Sequence, residues 1–243
     1  MGIVSRIKEE FRVIQERDPA IKSPMEVLLY PSFQVMLRYR IAHKLYLKKH
    51  YFLARWISQR AARKTGIEIH PGAVIGRRCF IDHGMGVIIG ETAEVGDDVT
   101  IYQGVTLGGT GKDTGKRHPT IGNRVVIASG AKVLGPFTVG DDVKIGSGSV
   151  VLKEVPSGCT VVGIPGTIVK RYGKSTTQDM NQVDLPDPVA VEIECLRRRI
   201  VHLEQIIRQM HETEEKSHEE TCTAGSCQPC AEECREDIKD ENL

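Results

Sequence analysis

An aliphatic side chain recurs every sixth residue through the middle of this 243-residue chain. The series runs Ile69, Ile75, Ile81, then Ile89, Val95, Ile101, Leu107, then Ile121, Ile127, Val133, Val139, Ile145 and Val151. Many members precede glycine, as in Ile75-Gly76, Val95-Gly96 and Ile145-Gly146. Four residues after many of them sits a small or β-branched residue: Ala73, Ala93, Val99, Val105, Val125, Ala131, Val143 or Ser149. This is the period of a parallel β-helix. Each hexapeptide makes a short strand and a turn, three make one coil, and stacked coils gather the aliphatic positions into interior columns. The glycines suit tight reversals, where positive φ is cheap.

Two breaks interrupt the period. Ile81 to Ile89 spans eight residues, two too many, and Leu107 to Ile121 spans fourteen, one repeat plus eight. The second break contains Leu107–Thr120, LGGTGKDTGKRHPT, rich in glycine and cations. Insertions in a solenoid emerge on its surface, where function concentrates.

The remaining chain divides around this core. Residues 1–65 read as an N-terminal helical domain, with Phe33, Leu37, Ile41 and Leu45 as an apolar stripe beside Arg40, Lys44 and Lys48. Pro19, Pro24 and Pro31 punctuate separate helices. The β-helix is expected over 66–172 and a linker over 173–187. Over 188–211, Val189, Ile193, Leu196, Ile200, Leu203, Ile207 and Met210 alternate spacings of four and three, the seam of a coiled coil or the face of an ordinary amphipathic helix. Residues 212–243 read as a flexible, acidic, cysteine-bearing tail. The fold class is therefore mainly β, with helices at both ends.

Thirty-three Lys and Arg against 32 Asp and Glu leave a net charge of +1, which gives no reason to expect nucleic acid or a membrane surface as partner. No apolar run is long enough to span a bilayer. The N-terminus lacks an apolar signal core, so the expected compartment is the cytosol. Seven cysteines, four of them near the end, do not resemble a secreted disulfide framework.

The chemistry-bearing residues cluster at the breaks. His83, in Asp82-His83-Gly84, lies inside the first, where side chains leave the regular wall. It reads as a general base for a substrate hydroxyl, or as a surface histidine beside an acid. Glu68, less than one coil earlier, could orient that imidazole or be a solvated strand charge. Asp82 could meet an ammonium group. Arg117 and His118 close the second break: Arg117 suits a carboxylate, and His118 a second acid–base role, against the plainer reading of an exposed basic loop. His70 reads as structural. Gly108-Gly109-Thr110-Gly111-Lys112 lacks the spacing of a nucleotide-binding P-loop but offers N–H groups and a cation to an anionic ligand. Cys222, Cys227, Cys230 and Cys234 match no standard zinc spacing. They read as free thiols, with a metal, a cluster or redox chemistry as alternatives.

With these motifs in hand, residues 66–170 resemble the serine O-acetyltransferases. The elements are Glu68-Ile-His-Pro, Asp82-His-x-x-Gly, Gly90-Glu-Thr-Ala, Val105-Thr-Leu-Gly-Gly-Thr-Gly-Lys and Arg117-His-Pro. The resemblance implies a left-handed β-helix, a trimer with active sites between subunits, and in many cases a dimer of trimers. It implies acetyl-CoA and L-serine as substrates, no metal, and a product used in cysteine biosynthesis. It makes His83 the base, Glu68 the acid behind it, Asp18 and Asp82 serine-binding acids, and Arg117 and His118 the pair that contacts serine. It lays acetyl-CoA past Gly108, Gly109, Thr110, Lys112, Ala128 and Gly130, near Lys144. Many members end in an apolar residue that enters O-acetylserine sulfhydrylase; this chain ends in Leu243 after a heptad series and four cysteines. The competing readings are an O- or N-acetyltransferase for another acceptor, a γ-type carbonic anhydrase using His70, His83 and His118, and a noncatalytic scaffold.

Overall fold

The computed structural model describes residues 3–109, 111, 114–171 and 188–223. They form two units that meet in sequence at Pro188.

In the first unit the hexapeptides make three parallel sheets, one per side of a prism. Sheet one stacks β1 (Glu68–Ile69), β4 (Ile88–Ile89), β7 (Thr106–Gly108), β10 (Lys132–Leu134) and β13 (Val150–Val151). Sheet two stacks β2 (Val74–Ile75), β5 (Glu94–Val95), β8 (Thr120–Ile121) and β11 (Thr138–Val139). Sheet three stacks β3 (Phe80–Ile81), β6 (Thr100–Ile101), β9 (Val126–Ile127), β12 (Lys144–Ile145) and β14 (Cys159–Val162), and β15 (Thr167–Arg171) closes it antiparallel to β14. The register records the breaks. Partners lie 18 residues apart where the period is intact (Thr120 with Thr138), 20 across the first break (Val74 with Glu94) and 26 across the second (Glu94 with Thr120). The extra residues are extruded at corners and the columns stay in phase.

All thirteen periodic aliphatic positions are buried, as are the small residues four places on. The third-side turns carry a second periodicity. Arg78, Asp98, Arg124 and Asp142 stack on successive coils, each at positive φ. Their alternating charges pair along the corner: Arg78 to Asp98 at 2.7 Å and Arg124 to Asp142 at 2.7 Å.

A β-helix leaves the carbonyls of its first coil without a preceding coil to bond, the solenoid form of the edge-strand problem. Helices α1 (Ile3–Arg17), α2 (Pro31–Leu47) and α3 (Tyr51–Thr65), with a 3-10 helix over Pro24–Leu29, fill that role. The Tyr39 hydroxyl donates to Ala73 O at 2.7 Å, Arg40 to Ile75 O and Gly76 O at 2.6 Å each, and Ser58 to Ile69 O at 2.6 Å. From α1, Arg17 reaches Asp98 at 2.9 Å and Thr100 at 2.8 Å. The buried face of α2 is Ser32, Phe33, Val35, Met36, Tyr39 and Ala42, which shares only Phe33 with the Phe33–Leu37–Ile41–Leu45 stripe expected from sequence; Ile41 is 55% exposed. The helix turns toward the coil that Tyr39 and Arg40 must cap.

The second unit is α4, Pro188–Thr223. It continues twelve residues past the expected boundary at 211, into the segment expected to be flexible. That stretch is rich in Glu, with Lys and His, and contains neither Gly nor Pro, so no residue in it breaks a helix already started. Among the described residues no helix is long and apolar enough to cross a membrane.

Candidate active site

The two breaks place their side chains at opposite edges of sheet one. His83 occupies the turn from sheet three back to sheet one, between β3 and β4. The two extra residues force this turn out of register, and His83 takes φ +54, followed by Gly84 at +75. The left-handed backbone throws the imidazole off the wall, and its side chain is 77% exposed. Asp82 lies beside it, Oδ1 to Nε2 at 4.0 Å. Burial holds the Asp82 carboxyl above the usual carboxylate range; the His83 charge works against that shift and the Asp18 charge with it. Asp18 is held by its neighbours: Oδ1 accepts from Ala20 N at 2.8 Å and Oδ2 from the Tyr30 hydroxyl at 2.5 Å. That bond pushes Tyr30 up to about 12. This corner therefore presents two carboxyls and an imidazole.

Below His83 the same corner carries Gly86, Gly104, Gly130 and Gly148 on successive coils, with φ between +69 and +75. A Cβ on Gly104 would lie 3.4 Å from the Cα of Gly130. The column carries no side chains of its own over four coils, and the Gly104 carbonyl in it accepts from the Lys132 ammonium.

Arg117 and His118 sit at the other edge, where sheet one turns into sheet two. Thr92, one coil earlier, organises both. Its hydroxyl accepts from Arg117 N at 3.0 Å and His118 N at 3.2 Å and lies 2.9 Å from His118 Nδ1. The Thr92 backbone N–H also donates to Nδ1, at 3.2 Å. A backbone N–H can only donate, so Nδ1 is an acceptor and the neutral ring carries its proton on Nε2. Burial pushes the His118 imidazole below its ordinary value, and the Arg117 cation adds to this. Gly90 makes room for the ring: a Cβ there would lie 2.0 Å from both Cδ2 and Nε2. Glu91 holds Arg117, Oε2 to Nη2 at 2.5 Å, and accepts from the Tyr46 hydroxyl at 2.9 Å. The Arg117 bond, then the Tyr46 bond, hold Glu91 below the usual carboxylate range. Tyr46, Tyr51, Arg55, His70, Pro71 and Glu91 line a cleft of about 390 Å³ on this edge. His70 accepts from Gly72 N at 3.0 Å, a structural contact.

Other expected residues fall elsewhere. Glu68 is on β1, and its Oε1 accepts from Arg55 at 3.4 Å and Gln59 at 3.3 Å rather than from His83. Ala128 and Lys144 are buried, and Gly130 is on the His83 corner. Gly108 and Gly109 are on the His118 edge, where a Cβ on Gly108 would meet Leu134 at 2.8 Å and one on Gly109 the Arg117 carbonyl at 3.0 Å. One chain thus does not gather these positions into a single groove. Thr110, Lys112, Cys227, Cys230, Cys234 and Leu243 lie outside the described residues, and only the backbone of Cys222, at the end of α4, is described. The motif Gly90-Glu-Thr-Ala contains Glu91 and Thr92, but nothing along the chain marks their partners 25 or so residues away. Among the described residues no group of three or more His, Cys, Asp or Glu is placed to hold a metal ion.

The chain resembles known proteins closely. Residues 118–153 match the family model of the bacterial transferase hexapeptide (six repeats). The serine acetyltransferase of Bacillus subtilis (strain 168) is 58% identical over 198 residues, covering 81% of this chain and 91% of the relative. Among solved structures, the serine acetyltransferase of Vibrio cholerae O1 biovar El Tor N16961 superposes with a TM-score of 0.72 at 42% identity, over 75% of this chain and 71% of that one. That of Brucella abortus strain S19, in complex with coenzyme A, gives a TM-score of 0.68 at 42% identity, over 70% and 68%.

Proposed function

This chain belongs to the serine acetyltransferase family, and from that premise we propose that His83 is the general base of its reaction. The fold is the left-handed parallel β-helix of that family. The activity is transfer of the acetyl group of acetyl-CoA to the hydroxyl of L-serine, a step of cysteine biosynthesis.

The observation that carries the site assignment is a charge match. Serine is a zwitterion with a hydroxyl between its charges. Asp82 and Asp18, beside His83, suit its ammonium; Arg117, steered by Glu91, suits its carboxylate in bidentate contact. His83 takes the hydroxyl proton as the oxygen attacks the thioester carbonyl, and returns it to the departing thiolate of CoA. His118, neutral with its proton on Nε2, donates a hydrogen bond to the bound substrate. The glycine column below His83 leaves room for the extended arm of CoA against backbone, which supports Gly130 as a contact.

The two halves of this match stand at opposite edges of sheet one, and no hydrogen bond or ion pair among the described residues joins them. A closed threefold ring sets one edge of each chain against the other edge of its neighbour, a heterologous interface that completes three sites. For Oε1 of Glu68 to turn to His83 it gives up Arg55 and Gln59, and the Arg55 contact, between partly exposed groups, costs little to break.

His83→Ala should lose most turnover in a thiol-release assay with acetyl-CoA and a panel of hydroxyl acceptors, while the oligomer survives. Comparable kcat for mutant and wild type would remove His83 from the mechanism. Coexpressed His83→Ala and Arg117→Ala chains should recover up to about a quarter of wild-type activity, because random rings contain sites with both halves intact. Mixed oligomers as inactive as either parent would show that the site is not shared.

A further inference from the structure

Helix α4 carries an apolar face that its own residues leave uncovered. Ile193, Leu196, Ile200, Leu203, Ile207 and Met210 are each more than half exposed. They follow spacings of three and four, which put isoleucine at every a position and leucine or methionine at the d positions after it. After Met210 the seam stops, since the next two positions are Glu214 and Ser217. The apolar stripe therefore has a definite length of three heptads inside a longer helix.

The flanking charges say what covers it. In a parallel, in-register pair, each g residue faces the e residue five places on in the other strand. Here Glu192 (g) faces Arg197 (e), and Arg199 (g) faces Glu204 (e). Both pairs are attractive, and each recurs by symmetry wherever two copies meet. All four side chains are exposed and none makes an ion pair among the described residues. The ion pair from Arg198 to Glu194, at 3.2 Å, lies on the outer face, at heptad positions away from these flanks. We propose that α4 docks in parallel and in register on α4 of a second copy of this chain.

The test uses the full-length chain with Cys195, Cys222, Cys227, Cys230 and Cys234 changed to serine, leaving the buried Cys79 and Cys159. Met210→Cys and Leu196→Cys place a thiol at d positions; Arg198→Cys places one on the outer face. Under mild oxidation the two seam cysteines should form disulfide-linked dimers at least about tenfold faster than the outer one, because the seam holds them within bonding distance. In an antiparallel pair the two 210 positions would lie roughly 25 Å apart and could not link. Arg197→Glu should slow linking of Met210→Cys, and Glu192→Arg with Arg197→Glu should restore it, since only parallel pairing joins those two positions. Linking no faster than at Arg198→Cys overturns the proposal, and so does a double reversal that fails to rescue. Serine acetylation by each variant, unchanged from the serine-substituted parent, verifies that the catalytic unit is folded.

Discussion

Gly90→Ala is a one-carbon change whose consequence can be worked through in detail. The added carbon would lie 2.0 Å from Cδ2 and Nε2 of His118 and 2.8 Å from Cγ. Carbon atoms rest at about 3.5–4.0 Å, so the overlap is roughly 1.5 Å, beyond what small shifts absorb. Gly90 has no left-handed backbone, so the effect is steric and not conformational. The ring must swing away and give up both Thr92 contacts on Nδ1, at 2.9 and 3.2 Å. Overpacking costs about 1–3 kcal/mol, and stranding the Thr92 N–H costs about 1–3 kcal/mol more. We expect unfolding free energy to fall by about 2–6 kcal/mol. A catalytic group displaced by about 1 Å loses on the order of a hundredfold in rate, or about 2.7 kcal/mol of transition-state stabilisation. The assays are kcat/KM from thiol release and a denaturant melt. His118→Ala supplies the control, because it removes the group that clashes. Adding Gly90→Ala to His118→Ala should then cost little more in either assay. Wild-type kcat/KM in the single glycine variant, or full additivity in the double one, would refute the packing argument.

Further outcomes follow from the same geometry. Glu91→Gln should raise KM for serine by about tenfold with a smaller change in kcat, because it loosens Arg117 without touching the base; an unchanged KM would remove Glu91 as its support. Burial depresses His118 and, in the same direction, His70. The unfolded chain then binds more protons below about pH 6.5, so their contribution is present above that pH and lost as pH falls through the depressed folded values. The drop in Tm from about pH 7.5 to about pH 5 should be shallower in His118→Gln than in wild type; equal slopes would contradict this. Asp98 joins Arg17 and Arg78 at the third corner, at 2.9 and 2.7 Å. Asp98→Asn keeps a residue tolerant of φ +59 and should cost about 1 kcal/mol at low salt, shrinking as salt screens the pairs. A loss that is independent of salt would point to packing instead.

The six-residue period was enough to predict the prism, because each position in a solenoid is interior or exterior by its phase alone. Ile69 through Val151 are buried for that reason, and a local pattern repeated thirteen times needs no tertiary information. The breaks were legible too, as counts of two and eight extra residues. What those counts could not reveal is which corner extrudes them, since that depends on where in an eighteen-residue coil each falls. Only the folded chain put His83 and Arg117-His118 at opposite edges of sheet one, so that neither edge alone matches a zwitterion. The support under the second edge was hidden likewise: Thr92 and Glu91 bind residues 25 and 26 positions away, and a motif read along the chain carries no trace of such contacts. The capping of the first coil by Tyr39, Arg40 and Ser58 is of the same kind, and it turned α2 away from the face its own sequence suggested. The sequence alone determined the periodic interior, because burial there is a matter of phase. Tertiary structure decided the grouping of the chemistry, because a side chain's partners depend on which coils the insertions bring into contact.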